Sequence, residues 1–373
     1  MTITHRTSST TSTQRDAWIE INLSALERNF KKLKDLVKTE IMAVVKADAY
    51  GHGATTLSPI LQSLGVNSFG VATVDEGIAL RNSGIKTPIV ILGATPLWAL
   101  ESCIKNNLTI TIYSNEQLEQ FEKLGNEQNL KLPIQLKIDT GMNRLGIDYK
   151  EAKKTIEHIL NSKFFKLEGI FSHLSDAKDY EFSKVQKERF DHAVGVCHGE
   201  PLQSHGKPLQ KHIANSYSAI NYPEFRYDMV RAGIALYGHE FNFLEPLISL
   251  KGRITEIHKV LKGESVSYDR TWTAPKDNLI ATVPIGYADG VDRKLSNNIS
   301  AIYKGKEIKQ VGNITMDQMM FDISGIKDPE VNDVITLIGK EIPISIWANK
   351  LNTITYELLS RLKMRLPRVY TRD

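Results

Sequence analysis

The chain predicts an α/β fold, an N-terminal (β/α)8 TIM barrel followed by a C-terminal mostly-β domain. Three observations carry that expectation. Eight short apolar runs alternate with helical patterns up to about residue 245, and several of them end in a residue able to do chemistry. Beyond residue 245 the rhythm changes to short strands separated by Gly, Asn and Asp turns. A length of 373 residues also exceeds one ordinary core, so two domains are expected.

Taken in order, residues 1–15 are polar and rich in Ser and Thr and read as a disordered tail. Ala17–Leu23 alternates apolar and polar residues as a strand does, and Leu26–Val37 has helical spacing. The eight barrel strands are Ile41–Val45, Ser68–Ala72, Pro88–Leu92, Leu108–Ile112, Ile134–Asp139, Leu167–His173, Lys211–Asn215 and Met229–Leu236. Helices are expected near Thr55–Leu64, Asp75–Ser83, Asn115–Gly125, Tyr149–Asn161 and Phe182–Val196. The barrel then covers 16–245 and the β-domain 246–373. That second domain has strands at Leu250–Val260, Leu279–Pro284, Ile299–Tyr303, Lys306–Val311, Met319–Ile323 and Val334–Ile338, with helices only at Ile344–Lys350 and Thr355–Leu362. An open doubly wound sheet competes poorly, because no strand is followed by GxGxxG.

Composition excludes several classes. Apolar content of 41% and charged content of 24% are those of a soluble globular protein. A net charge of +4 gives no case for nucleic acid or a membrane surface, and no apolar run is long enough to span a bilayer. No secretory signal is read at the N-terminus, and the two cysteines, Cys103 and Cys197, are too few for a disulfide framework. A reducing, cytoplasmic setting is therefore expected. No metal site is read.

The chain is organised around Ile41–Gly53, IMAVVKADAYGHG. Its apolar run suits a strand buried on both faces, and Lys46 ends it. An amine withdrawn from water loses preference for its charged form and becomes a nucleophile toward aldehydes, which makes a Schiff base possible. A strand-end lysine that merely snorkels to solvent is the commoner case. Lys46, Asp139, His173 and Asn215 all lie at strand ends and Arg231 lies in the eighth strand, where barrels of this kind keep their chemistry.

VVKADAYGHG resembles the cofactor-lysine motif of the alanine racemases, fold-type III enzymes that use pyridoxal 5'-phosphate (PLP). The resemblance continues in order through LKIDTGMNRLG, FSHLSDA, HIANS, MVRAGIALYG, VSYDRTW, PIGYADG, VGNITMDQ and RLPRVY, covering about residues 16 to 370. It implies interconversion of L- and D-alanine, hence D-alanine for peptidoglycan, by two bases. Lys46 would carry the cofactor as an aldimine and handle the proton of the D-isomer, and Tyr268 that of the L-isomer. Arg231 would face the pyridine nitrogen, with His173 beside it. Tyr50, Ser216 and the backbone of Gly233 and Ile234 would hold the phosphate. Arg144 would grip the substrate carboxylate, helped by Met316 with Asp317 beside it, and Tyr287 and Arg293 would line the substrate entryway. A homodimer with composite sites, one chain's barrel facing the other's β-domain, is also implied. One departure is Met364, where several members have a phosphate-touching tyrosine; methionine donates no hydrogen bond.

Lys137 adds a further expectation. Gln135, Lys137 and Asp139 share one face of their strand, and Arg144 follows just beyond. Two cations about 4 Å apart oppose each other by roughly 4 kcal/mol at an effective dielectric near 20. A carbamate formed from CO2 on Lys137 turns that repulsion into a charge-assisted bond, as in resembling members with a carbamylated lysine. A neutral or solvent-reaching Lys137 remains open. Competing functions are a broad-specificity or serine racemase, a decarboxylase on the same fold, and a non-catalytic PLP-carrier protein. The last lacks a β-domain carrying Tyr268, Met316 and Asp317.

Overall fold

A computed structural model of the chain describes residues 15–128, 131–195, 203–204 and 207–373. Tail residues 1–14, Cys197 and the end of the expected helix at Val196 lie outside the described residues. The chain forms two compact units. One comprises Asn29–Ala49 and Ala54–Leu236; the other comprises the residues up to Arg28, Tyr50–Gly53 and Tyr237–Asp373.

The first unit is the expected barrel. Its strands are Glu40–Val44, Ser68–Val71, Ile89–Ile91, Thr109–Ile112, Leu132–Asp139, Phe165–Phe171, Gln210–His212 and Met229–Ala232. Each pairs in parallel with its neighbour, and the eighth returns to the first with Met229 opposite Glu40 and Arg231 opposite Met42. The seventh and eighth strands meet more loosely, through Asp228 N–H to Lys211 O (3.1 Å) and Arg231 N–H to Ala214 O (3.0 Å). The strands form because their side chains find apolar cover on both faces: Ile41, Met42, Ala43 and Val44 are all buried. Helices cover the outside by one-sided patterning. Ala152, Thr155, Ile156 and Ile159 are the buried residues of helix Ala152–Asn161, at helical spacing. Helix Val74–Asn82 starts on a reciprocal cap between Thr73 and Glu76.

The second unit holds a nine-stranded sheet. Its spatial order is Glu256–Val260, Asn278–Val283, Met319–Asp322, Lys306–Val311, Ser300–Tyr303, Val334–Ile338, Ile248–Arg253, Ala17–Asn22 and Arg368–Thr371. One strand of this sheet comes from the beginning of the described residues. Ala17–Asn22 pairs antiparallel with Ile248–Arg253 and parallel with Arg368–Thr371, and it buries Ala17, Ile19 and Ile21 in alternation. An alternating strand has one wet face, which suits an antiparallel sheet better than a barrel wall. The single expected strand Leu250–Val260 is two strands, because the chain turns at Ile254 and Thr255 to pair with Asp333 and Thr282. Arg15, expected in the tail, is anchored by its side chain to Asp289.

Short helices Leu100–Lys105 and Ser216–Asn221 were not expected, being too short to show a period. A helical turn directly after the first barrel strand was not expected either. Lys46–Gly51 winds as a helix, yet φ is +51° to +54° at Ala47, Asp48, Ala49 and Tyr50 and +82° at Gly51. This is a left-handed turn, which costs L-residues about 1–2 kcal/mol each. Within the barrel unit, Ala47 N–H donates to Glu76 Oε1 (2.7 Å), Ala49 N–H to Val45 O (2.8 Å) and Ala54 N–H to Asp48 Oδ1 (2.8 Å). Within the other unit, Arg368 Nε donates to Gly51 O and Tyr370 Oη to His52 O.

Candidate active site

In the barrel unit, candidate residues gather where strands end. Arg231 is buried, and its guanidinium makes five contacts. Nη1 reaches His212 Nδ1 (2.6 Å) and His212 O (3.2 Å); Nη2 reaches Ser172 O (2.7 Å), Ile213 O (2.9 Å) and His173 Nδ1 (3.0 Å). A guanidinium only donates, so both imidazoles must present an Nδ1 lone pair and carry their proton on Nε2. His212 Nε2 then donates to Gln135 Oε1 (2.9 Å). Burial first and Arg231 second hold His173 and His212 well below the usual histidine range, so both are neutral at pH 7. Burial lowers Arg231 to about 9, which still leaves it charged. Among the described residues none accepts a hydrogen bond from its Nε.

Lys46 and Lys137 share this surrounding. Burial, then the charge of Arg144, lowers Lys46, and Glu76 opposes the shift. The same two causes, with Arg231 and Lys46 adding, lower Lys137 to about 8. Asp139 opposes that shift, yet its Oδ1 is engaged by the N–H groups of Gly141, Met142 and Asn143 at 2.8 to 3.2 Å. Phe171 lies parallel to His212 with ring centroids 5.0 Å apart, and it has Arg231 Cζ at 5.4 Å and Lys137 Nζ at 5.9 Å from its ring. The site is thus a cluster of four cationic groups, Lys46, Lys137, Arg144 and Arg231, whose excess positive charge favours an anion and a deprotonated amine. Nearby, Asn215 caps helix Ser216–Asn221, and Ser216 Oγ accepts from Gly233 N–H (3.1 Å), fixing the Gly233–Ile234 backbone beside it.

In the β unit, Tyr50 packs against Tyr237 (5.2 Å) and Tyr356 (5.8 Å). Burial raises Tyr50 and pushes Tyr356 up to about 12, so both phenols keep their protons. Neither hydroxyl has a hydrogen-bond partner among the described residues. Tyr268 is 69% exposed. Its turn has φ of +68° at Ser267, +60° at Asp269 and +50° at Arg270. Asn313 holds that turn, donating to Tyr268 O (3.0 Å) and Asp269 Oδ2 (2.9 Å). Arg293 pairs with Asp269 at 2.9 Å, so this expected entryway residue also braces the turn of Tyr268. Tyr287, Met316 and Met364 are exposed as well, and Asp317 pairs with Arg365.

The structure therefore brings Lys46, Lys137, Arg144, His173, Ser216, Arg231, Gly233 and Ile234 together in one unit. Tyr50, Tyr268, Tyr287, Arg293, Met316 and Asp317 lie in the other. Sequence reasoning missed His212, Gln135, Glu76 and Tyr356. Gln135 was readable, since it shares the strand face of Lys137, and His212 opens the quoted HIANS string. Glu76 and Tyr356 gave no signal of their own.

A (β/α)8 barrel with a lysine set among cations at the end of its first strand, its pKa lowered by burial and Arg144, is of the class of barrels equipped for amine–carbonyl chemistry. Comparison with known proteins narrows this. The family descriptions Alanine racemase, N-terminal domain, and Alanine racemase, C-terminal domain, match residues 21–240 and 247–370. The chain is 37% identical to alanine racemase 1 of Caldanaerobacter subterraneus subsp. tengcongensis, covering 96% of each. It superposes on the alanine racemase of Clostridium difficile 630 with a TM-score of 0.90 and 35% identity, covering 97% of both chains. It superposes on the alanine racemase of Bartonella henselae, solved with covalently bound pyridoxal phosphate, with a TM-score of 0.86 and 29% identity, covering 95% of this chain and 99% of that one. The chain belongs to the alanine racemase family.

Proposed function

We infer that this protein is a PLP-dependent alanine racemase that interconverts L- and D-alanine. The observation that carries the reading is the cation cluster at the strand ends, where burial first and Arg144 second lower Lys46, so that it gives up its proton more readily than an ordinary lysine. The residues fit the cofactor. Lys46 is the nucleophilic amine, Arg231 keeps its Nε donor for the ring nitrogen, and Ser216 with Gly233 and Ile234 offers a phosphate cradle. Tyr50 adds a phenol, and Tyr356 beside it offers a hydroxyl that Met364 cannot. When bound, PLP supplies the electron sink that makes the Cα proton acidic.

The remaining steps belong to the protein. Lys46 Nζ takes or returns the proton on one face of Cα and Tyr268 Oη does so on the other. Arg231 stays protonated; facing the ring nitrogen of bound PLP, it would leave that nitrogen unprotonated and so disfavour transamination. His173, neutral, orients that arginine. Arg144 holds the carboxylate as a bidentate pair, with the Met316 N–H and Asp317 near the substrate. Tyr287 and Arg293 line the approach. A carbamate on Lys137 answers the cation cluster: a neutral amine near a pKa of 8 adds CO2 and releases one proton. Family resemblance and the exposure of Tyr268 support a homodimer with composite sites, working in the cytoplasm and supplying D-alanine for peptidoglycan. No described helix is long and apolar enough to cross a membrane.

The test is chiral analysis of PLP-loaded protein against single L-amino acids. Racemised alanine as the best product is the expected result. Preference for serine, decarboxylation, or no turnover would overturn it.

A further inference from the structure

Asp289 is a fully buried carboxylate between two arginines. Arg15 grips it through both nitrogens, Nη1 to Oδ1 at 2.5 Å and Nη2 to Oδ2 at 2.7 Å, while Arg365 Nε approaches Oδ1 at 3.1 Å. The same Arg15 donates to Pro284 O (2.8 Å) and Arg365 O (3.2 Å). Asp289 Oδ2 also accepts from Gly286 N–H (2.9 Å), and Arg365 Nη2 passes on to Asp317 Oδ1 (2.7 Å). Backbone bonds follow the same path. Lys363 N–H donates to Asp289 O, Tyr287 N–H to Thr315 O and Ala288 N–H to Met316 O, each at 3.0 Å. Three segments distant in sequence are thereby strapped together, those bearing Tyr287, Met316 with Asp317, and Met364.

We propose that Arg15 is a positioning residue that sets the substrate mouth by clamping Asp289. This rests on the reading above that Tyr287, Met316 and Asp317 meet the substrate. A buried carboxylate that loses one of its two cations draws harder on the other. Without Arg15, Asp289 keeps only Arg365, whose half-exposed guanidinium is shared with Asp317. Arg365 then shifts toward Asp289 and carries Met364 and Asp317 with it. Arg15 Nη2 also fixes Pro284 O, so the turn of Tyr287 loosens at the same time.

The test compares Arg15→Ala, Arg15→Lys and a deletion of residues 2–14 with the parent, all PLP-loaded. Arg15→Ala is expected to lose about tenfold in kcat/KM for alanine, as displacement of positioning groups does, mostly through KM. Arg15→Lys should fall between, since an ammonium cannot make both bonds. Millimolar ethylguanidine should restore part of the Arg15→Ala loss, and the deletion should match the parent. Hydrogen exchange of residues 284–290, 315–318 and 363–366 should quicken in Arg15→Ala, a readout that needs no racemisation. A parent that fails to racemise alanine refutes the functional reading, and the exchange result then decides the clamp alone. Unchanged exchange, or a KM within twofold of the parent with only a lower melting temperature, would overturn the proposal. Where Arg15→Ala does not fold, an unaltered KM in Arg15→Lys does the same.

Discussion

Arg231 dictates the protonation of everything it touches. Its two histidine contacts require an Nδ1 lone pair on each imidazole, and after burial and Arg144 its charge adds to the lowering of both site lysines. On the proposed role of Lys46, borohydride treatment of the PLP-loaded protein should fix the pyridoxyl group on Lys46; label on another lysine would refute the assignment. Lys137→Ala should lose most activity and regain part of it with added acetate, which enters the vacated space as a small anion. A variant as active as the parent would rule out the carbamate. The shift on Lys137 also has a thermodynamic sign. The folded value is lowered from 10.5 to about 8, so the unfolded chain binds more protons between those values. The penalty, on the order of 3 kcal/mol, is complete below about pH 8 and fades as pH rises to 10.5. In CO2-free buffer the parent should therefore gain urea stability over Lys137→Met across pH 8 to 10. A flat difference would contradict it.

At the scale of elements, the left-handed turn Lys46–Gly51 stores strain that its anchors must offset. Glu76 is the chief anchor on the barrel side, accepting from Ala47 N–H and Ala72 N–H at 2.7 Å each. Glu76→Gln should cost roughly 1–2 kcal/mol by urea titration, as loss of charge-assisted bonds does. No loss would mean the turn holds itself. This turn also marks what the residues alone could reveal. Barrel strands were legible because burial on both faces leaves continuous apolar runs such as Ile41–Val45. A left-handed turn through Ala47, Asp48 and Ala49 was not, since nothing in those side chains prefers positive φ. Ala17–Asn22 was legible as a strand but not as a member of the β sheet, because its pairing with Ile248–Arg253 spans most of the chain. His212 was hidden for a different reason. Its role is to accept from Arg231, and a lone histidine does not announce its donor.

For the whole molecule, the reading of composite sites makes a direct prediction. Lys46→Ala and Tyr268→Ala chains, each inactive alone, should regain activity when mixed under subunit exchange, since some mixed dimers then hold one intact site. Demonstrated exchange with no activity would refute the sharing. The β sheet raises a matter of timing. Its strand Ala17–Asn22 leaves the ribosome well before Ile248, the partner of Ile21, which comes 227 residues later. At about 5–20 residues per second, that strand waits roughly ten to fifty seconds for its first neighbour. The parallel neighbour Arg368–Thr371 is made later still. Throughout that interval the nascent chain displays an unmatched, alternating apolar edge, which is the kind of surface that chaperones hold and that neighbouring chains capture.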